Sequence, residues 1–345
     1  MKKDDTKRIA LHMPLCAGIL GIAGIFYWFG ISSLLLPVAA IAVIILLLNL
    51  ILRMIGKFLV RNPKKWIKRL SEAVLAGLMV LVTLCSLVYA EQDSMLFYNV
   101  KSPESREFLQ GKPGYSEVEF TAENGKTYHG MLYRQANEAA PLVIYFGGNG
   151  ECSYQRMRGL EENNRWRYYA GYNYLYMDYE GYGLNDGKTD YLNMYEEALA
   201  VFDYAVTLPN VDSNHIVVMG YSLGTGSAIY LAANRTVAGL ILAAPYDNGI
   251  NLYNNMLPIF YGPMELLVKQ KLPSDAYATS VTCPVLLIAS HSDGTVPYSE
   301  SERLSKLFSG DVDFVTLESE GHNDLFAGAG VYERIQGFLE EVASS

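Results

Sequence analysis

The chain has 345 residues, of which 50% are hydrophobic and 18% are charged, and its formal net charge is −9. This length suits one sizeable domain with a smaller addition and leaves little room for two full enzymatic domains. Residues 1–90 contain 11 Lys and Arg against 3 Asp and Glu, a net charge of +8, whereas the rest contains 16 against 33, a net charge of −17. Because nucleic-acid binding needs a basic face, the acidic second part argues against nucleic acid as a partner.

Three uncharged segments near the N-terminus predict a membrane anchor in residues 1–90. No Lys, Arg, Asp or Glu occurs in residues 9–52, and one helix of that length would far exceed a hydrocarbon core of about 30 Å. Gly30 and Pro37 interrupt this run and divide it into two spans. The three predicted transmembrane helices cover about residues 9–29, 34–52 and 73–90. A secretory signal peptide is the alternative for the first, but its apolar region would be shorter.

The basic residues predict the orientation of this anchor. Lys and Arg precede the first span and crowd the loop at residues 53–69, while the loop between the first two spans has no charge. Since such basic flanks stay cytoplasmic, the N-terminus is predicted inside and everything after Ala90 outside the cytoplasm. The sequence thus predicts a multi-pass cell-membrane protein with membrane lipids as partners. The basic loop could also hold anionic head groups, although a topology signal alone explains it.

Residues 115–345 have the pattern of a single α/β domain, which follows a polar connector at residues 91–114 that is rich in turn signals. Two alternating runs on either side of Glu123-Asn124-Gly125 predict an antiparallel hairpin. Short apolar runs then alternate with helical segments, which predicts a mostly parallel sheet with helices on both faces. The predicted strands of this part are 142–146, 174–177, 216–219, 240–243, 285–289 and 314–317, and the predicted helices are 153–169, 191–207, 224–234, 299–308 and 331–342.

Residues 246–280 interrupt this alternation. The segment is long for a connection and mixes apolar residues with Pro and Gly. We interpret it as a cap or lid over the site. An ordinary crossover helix with an irregular start is the open alternative.

The motif GxSxG, Gly220-Tyr221-Ser222-Leu223-Gly224, lies between a predicted strand and a predicted helix. A nucleophilic serine on such a sharp turn needs small residues two positions before and two after it, and Gly220 and Gly224 meet this need. GxSxG often arises by chance, but its position between a strand and a helix predicts that Ser222 is a nucleophile.

A serine hydroxyl needs a base that accepts its proton, and the base needs an acid that orients it. His322 lies in a loop just past the last predicted strand, and Asp293 follows the strand before it. The order Ser222, Asp293, His322 is the order that this architecture uses. We therefore predict His322 as the general base and Asp293 as the orienting acid. The other histidines outside the predicted spans, expected in structural or surface positions, are His129, His215 and His291.

Backbone amides are expected to stabilise the oxyanion that forms on attack. One is predicted at Leu223, beside the nucleophile. The second is predicted at Asn149, in the glycine-rich loop 147–150, where glycines let the backbone approach a substrate closely. A phosphate-binding loop is the competing interpretation, but no Lys and Ser/Thr signature follows it.

Cysteine usage predicts no metal site and no disulfide framework. Only Cys152 and Cys283 lie outside the predicted spans. Two buried free thiols are favoured over a bridge between them, which an oxidising compartment would permit. No cofactor is expected.

From about residue 115 to its end the chain resembles the α/β hydrolases, in particular the membrane-tethered hydrolase-domain proteins that include protein depalmitoylases. The motifs that carry the resemblance are 145–150 (YFGGNG), 178–183 (DYEGYG), the GxSxG turn, Cys283-Pro284, Asp293 with Val296 and Pro297, and Gly321-His322. The chain departs from the family pattern at Gly147, where His is usual, and at Glu180, where Arg is usual. Asp178 is expected to join loops rather than to react.

The resemblance implies hydrolysis of acyl esters or thioesters, including removal of fatty acyl groups from lipids or proteins. The sequence therefore predicts a membrane-anchored serine hydrolase that acts on a small-molecule or lipid ester through an acyl-enzyme. The alternatives are a peptidase or amidase on the same fold, and a catalytically silent membrane protein that uses the fold for binding.

Overall fold

The computed structural model describes residues 96–135 and 138–344, together with 77, 83, 85, 86 and 89–94. A boundary between two structural units falls between Gln92 and Asp93. The first two predicted spans and most of the third lie outside the described residues, and the described residues of the third are helical. Within the described part of the chain, no helix combines the length and the apolar character needed to cross a bilayer.

An eight-stranded sheet forms the centre of the second unit. Its strands are β1 (Tyr115–Thr121), β2 (Thr127–Tyr133), β3 (Ala140–Phe146), β4 (Asn173–Met177), β5 (Val211–Tyr221), β6 (Gly239–Ala243), β7 (Val285–Ser290) and β8 (Val312–Leu317). Their order in the sheet is β1-β2-β4-β3-β5-β6-β7-β8. Only β1 with β2 and β2 with β4 pair antiparallel, and the other pairs are parallel. The predicted hairpin and the predicted mostly parallel sheet are both confirmed.

Helices lie between the strands, as the sequence predicts. The helices from Pro103 onward are α1 (Pro103–Leu109), α2 (Ser153–Glu162), α3 (Tyr191–Ala205), α4 (Gly224–Asn234), α5 (Gly249–Met256), α6 (Ser274–Ala278), α7 (Tyr298–Ser305) and α8 (Val331–Ala343), with 3-10 turns at Trp166–Tyr169, Gly262–Leu267 and His322–Ala327. The single helix predicted over 153–169 is wrong in its second half. Asn164 has a left-handed φ of 51°, which ends α2 and lets a separate 3-10 turn follow.

The core consists of two apolar clusters on opposite faces of the sheet. Successive side chains of a strand point to opposite faces, so Leu142, Ile144 and Phe146 of β3 join one cluster while Val143 and Tyr145 join the other. Helices α3 and α4 contribute to the first cluster, and α2 and α8 contribute to the second. Both faces of the central strands are therefore covered, which explains why their sequences are almost continuously apolar.

Two segments differ from simple linkers. In the predicted connector, Phe97 is buried in the first core cluster, and α1 provides the buried Leu109. The segment 246–280 contains α5, the 3-10 turn Gly262–Leu267 and α6. It buries Phe260 and Val268. Its large apolar side chains that are exposed to solvent are Leu257, Ile259, Tyr261 and Leu266.

Candidate active site

The turn between β5 and α4 presents Ser222 at the carboxyl edge of the sheet. Ser222 has a φ of 49°, a left-handed conformation that is strained for any residue with a Cβ. Hydrogen bonds hold it there: its N–H donates to the Ala243 carbonyl at 2.8 Å, and its carbonyl accepts from the Thr225 amide at 3.0 Å and the Thr225 hydroxyl at 2.6 Å. The surrounding backbone therefore maintains the strained turn and fixes the direction of the hydroxyl.

The two glycines of the motif are required by close backbone contacts. A Cβ on Gly220 would lie 2.7 Å from the Gly224 carbonyl oxygen and 2.7 Å from the Thr225 Cα. A Cβ on Gly224 would overlap the backbone carbonyls of Phe146 and Gly147. The absence of a side chain therefore lets the start of α4 pack closely against β5 at Gly220, and against the end of β3 at Gly224.

The structure brings Ser222, His322 and Asp293 into one hydrogen-bonded chain. His322 Nε2 lies 2.8 Å from Ser222 Oγ, and His322 Nδ1 lies 2.7 Å from Asp293 Oδ2. The other carboxylate oxygen, Asp293 Oδ1, accepts the backbone N–H groups of Thr295 and Val296, each at 2.8 Å. The Asp293 side chain is almost fully buried, whereas 11% of the His322 side chain is exposed.

This arrangement determines the proton positions of the imidazole. A carboxylate oxygen can only accept a hydrogen bond, so Nδ1 of His322 carries the proton that faces Asp293. Nε2 is then the free acceptor for the Ser222 hydroxyl proton. The geometry is that of a serine with an adjacent base held by a third group.

Tyr221, the residue before the nucleophile, also holds the histidine. Its hydroxyl donates to the His322 carbonyl oxygen at 2.8 Å. Its ring stacks on the imidazole, with centroids 5.3 Å apart and planes inclined by 26°, and it also contacts Phe326. In the sequence, Tyr221 occupies only the variable second position of GxSxG, and that position does not predict a contact with His322.

The loop 147–150 lies directly beside the nucleophile. A Cβ built on Gly148 would lie 3.6 Å from the Ser222 Cβ, so a backbone without side chains approaches the serine here. The Gly148 N–H donates to Glu151 Oε2 at 3.1 Å and is therefore occupied.

The backbone N–H groups of Leu223 and Asn149, by contrast, donate to no atom among the residues that the structure describes. Leu223 directly precedes the first residue of α4, where amides face outward. Both ends of the Asn149 side-chain amide have partners: Oδ1 accepts from the Tyr182 hydroxyl and the Tyr98 backbone N–H, and Nδ2 donates to the Leu96 carbonyl. Both predicted amides thus lie in segments next to Ser222, which is where an oxyanion hole requires its donors.

The two departures from the family pattern have local explanations. A Cβ on Gly147 would overlap the Tyr176 hydroxyl, so the tyrosine occupies the space that a larger residue would need. Glu180 pairs with Lys126 at 2.6 Å. A negative charge at position 180 is therefore balanced by the hairpin turn between β1 and β2.

Asp178 joins two loops behind the site, as expected. Its carboxylate accepts the Ser153 N–H at 2.6 Å and the Ser153 hydroxyl at 2.8 Å, which caps the start of α2. Its backbone carbonyl accepts from the Asn185 side chain. Burial raises the pKa of Asp178 to about 7, although both bonds from Ser153 oppose the shift.

The three other histidines expected in structural or surface positions contact residues outside the triad. Their contacts are His129 with Glu119 at 3.4 Å, His215 with Asp212 at 2.8 Å, and His291 with the ring of Tyr298 at a centroid distance of 3.9 Å. Cys152 and Cys283 are both free thiols, but only Cys152 is buried as predicted, whereas Cys283 is half-buried. In the described part of the chain, no three or more His, Cys, Asp and Glu side chains are grouped so that they could hold a metal ion.

Comparison with known proteins gives consistent results. The model of the family described as "Serine hydrolase" matches residues 206–341. Uncharacterized protein Rv2307c of Mycobacterium tuberculosis (strain H37Rv) is 33% identical over 235 residues, which cover 67% of this chain and 81% of that protein. Alpha/beta hydrolase domain-containing protein 17C of Homo sapiens is 28% identical over 162 residues, which cover 47% of each chain.

A solved structure shows the same fold. The Pyrococcus furiosus esterase Pf2001 superposes with a TM-score of 0.56 at 19% identity, covering 71% of this chain and 98% of that one. The sequence relatives and the fold agree with the serine hydrolase expected from the motifs. The chain therefore belongs to the α/β-hydrolase family and is a serine hydrolase.

Proposed function

We propose that the protein hydrolyses carboxylic esters or thioesters through an acyl-enzyme, with Ser222 as nucleophile, His322 as general base and Asp293 as the acid that orients the imidazole. The observation that carries the proposal is the unbroken chain of short contacts from Ser222 Oγ to His322 and on to Asp293.

In the first half-reaction, Ser222 Oγ bonds to the carbonyl carbon while its proton passes to His322 Nε2. The resulting oxyanion receives hydrogen bonds from the backbone N–H groups of Leu223 and Asn149. Collapse of this intermediate breaks the bond to the leaving alkoxide or thiolate, which takes the proton from His322. Water then repeats the sequence on the acyl-enzyme, releasing a carboxylic acid and restoring Ser222.

The decisive test compares Ser222→Ala with Ser299→Ala, an exposed serine in the first turn of α7. Ser222→Ala should lose p-nitrophenyl ester hydrolysis and labelling by a fluorophosphonate probe, because only an activated serine reacts with the probe. Ser299→Ala should keep both. Full ester activity in Ser222→Ala would refute the mechanism, and a wild-type protein that neither hydrolyses nor labels would indicate a binding protein. Faster cleavage of matched anilides than of esters would indicate a peptidase.

A lipid or acylated substrate, reached from the membrane, is the second part of the proposal. The three apolar segments in residues 1–90 support membrane anchoring, and the solvent-exposed apolar side chains in the segment 246–280 support an acyl-binding cap. Rates on p-nitrophenyl esters of graded chain length should rise from acetate to long acyl chains. A preference for acetate would exclude an acyl-binding role for this segment without affecting the triad.

A further inference from the structure

The side chain of Asn149 makes three hydrogen bonds, and two of them are to a segment just ahead of the α/β domain. Its Oδ1 accepts the Tyr98 backbone N–H at 2.8 Å and the Tyr182 hydroxyl at 2.8 Å. Its Nδ2 donates to the Leu96 backbone carbonyl. The side-chain amide of Asn149 therefore connects the loop 147–150 to the residues Leu96–Tyr98, which we call the strap.

The strap is itself fixed to the core. Phe97, between the two bonded residues, is only 7% exposed and belongs to the same apolar cluster as Tyr182. A Cβ built on Gly150 would lie 3.8 Å from the Tyr98 Cβ, so the strap also contacts the loop directly. The buried Phe97 side chain therefore holds the Leu96 carbonyl and the Tyr98 N–H in position to bind the Asn149 side chain.

The strap matters because of the amide that the loop leaves free. Glu151 occupies the Gly148 N–H, and the next amide of the loop, at Asn149, has no acceptor among the described residues. Its direction follows the backbone orientation of residue 149. A side chain bonded on both ends restricts that orientation, whereas a side chain without partners would let the flanking glycines turn it.

We propose that the strap is a positioning element of the catalytic site, which aims the Asn149 backbone N–H at the oxyanion by clamping the Asn149 side chain. This inference rests on the proposed ester hydrolysis at Ser222. It assigns a role in catalysis to chain outside the region of family resemblance. A charge that develops only in the transition state is stabilised by donors that are already oriented, so loss of the clamp lowers kcat more than it raises KM.

The test is Asn149→Ala in the full chain, with Asn163→Ala as the matched control. Both remove an asparagine amide that bonds backbone, but Asn163 lies at the exposed end of α2. Asn149→Ala keeps the backbone N–H and loses its orientation, so kcat should fall about 10- to 100-fold with KM changed less than about 3-fold. The rate of fluorophosphonate labelling should fall in parallel, whereas Asn163→Ala should match the wild type.

Rates are expressed per Ser222 labelled once the slow reaction with the probe is complete, so neither slower labelling nor a fraction of unfolded protein mimics the effect. If Asn149→Ala does not fold, Asn149→Asp serves in its place: it retains the acceptor for Tyr98 and Tyr182 but turns an oxygen against the Leu96 carbonyl. The same fall in kcat is expected. A folded variant of either kind with the kcat of the wild type would overturn the strap proposal, while an inactive wild type would instead overturn the proposed function.

Discussion

At Asp293, hydrogen bonds and not a Lys or Arg side chain hold a buried carboxylate in place. Two backbone N–H groups occupy one oxygen and the histidine occupies the other. The carboxylate can therefore neither rotate nor exchange its partners without losing hydrogen bonds in a buried place, which costs on the order of 1 to 3 kcal/mol for each unsatisfied group. The proton on Nδ1 of His322 is fixed by this rigidity.

Asp293→Asn should reduce kcat for ester hydrolysis by a factor on the order of 10³ to 10⁴ and leave the fold intact. An amide NH₂ facing His322 would favour the tautomer with the proton on Nε2, which cannot accept the Ser222 proton. Steady-state kinetics measures the loss, and Asp311→Asn, at an exposed position, is the control. A fall of less than about tenfold would show that Asp293 does not orient the base.

Asp178 predicts a pH dependence of stability. Its folded pKa of about 7 lies above the unfolded value of about 3.9. The folded state therefore binds the proton more tightly, and this contribution is complete below about pH 4 and is lost as the pH rises through about 7. At 1.36 kcal/mol for each unit, the shift corresponds to at most about 4 kcal/mol.

Asp178→Asn removes this titration. As the pH rises from 4 to 8, the free energy of unfolding of the variant should therefore increase relative to that of the wild type. Urea denaturation of the full chain in detergent measures the difference, again with Asp311→Asn as the control. A difference that is independent of pH would mean that Asp178 does not hold its proton in the folded state.

At the scale of elements, the turn between β5 and α4 shows what the motif glycines provide. Hydrogen bonds with Ala243 and Thr225 maintain the strained φ of Ser222, and the close approach of α4 to the end of β3 leaves no room for a side chain at Gly224. Helix α8, which packs on the opposite face of the sheet from α4, contains Gly337. A Cβ at Gly337 would meet nothing within 4 Å. Glycine is therefore required for steric reasons at Gly224, whereas at Gly337 it only lowers the helix propensity.

Gly224→Ala should lower the thermal unfolding midpoint strongly and abolish fluorophosphonate labelling, because the new methyl group overlaps backbone atoms that cannot move away. Gly337→Ala should instead raise stability by about 0.5 to 1 kcal/mol, the usual gain for alanine over glycine inside a helix. Differential scanning fluorimetry distinguishes the two. Equal stability of Gly224→Ala and the wild type would show that the turn can relax.

The strands were predictable because burial on both faces forces apolar runs. Their boundaries agree with the structure to within two residues, except that β5 begins at Val211, five residues before the predicted start. The helix predicted over 153–169 was wrong in its second half. Apolar residues continue past Asn164, and the spacing of apolar residues cannot show that Asn164 adopts a left-handed conformation. The connector was predicted as polar linker from its turn residues. Its contacts with Asn149 could not be predicted, because a bond from a backbone N–H leaves no pattern in the sequence.

At the scale of the molecule, the candidate site was predictable from topology. Ser222, Asp293 and His322 follow β5, β7 and β8, which run parallel and lie near one another in the sheet. Parallel strands end at the same edge, so residues 100 positions apart converge there. The supporting residues Tyr221, Glu151 and Tyr182 were missed, since their roles depend on side-chain directions that motif spacing does not contain.

The division of charge along the chain predicts on which side of the membrane the acidic part lies. The basic residues of 1–90 favour the cytoplasmic side, and three crossings would place residues 91–345 on the other side. Cells expressing Glu340→Cys, at an exposed position of α8, or Asn62→Cys, in the basic loop, are treated with a membrane-impermeant maleimide. The wild type reports labelling of native thiols such as the half-buried Cys283.

Glu340→Cys should label in intact cells, and Asn62→Cys should label only after the membrane is permeabilised. The opposite pattern would place the enzyme in the cytoplasm, and its substrate would then be an ester of the inner leaflet or of cytoplasmic proteins. Labelling of both positions in intact cells would imply an even number of crossings between them. Because the triad lies wholly within residues 222–322, each of these outcomes changes which esters the enzyme meets and leaves the proposed chemistry at Ser222 unaltered.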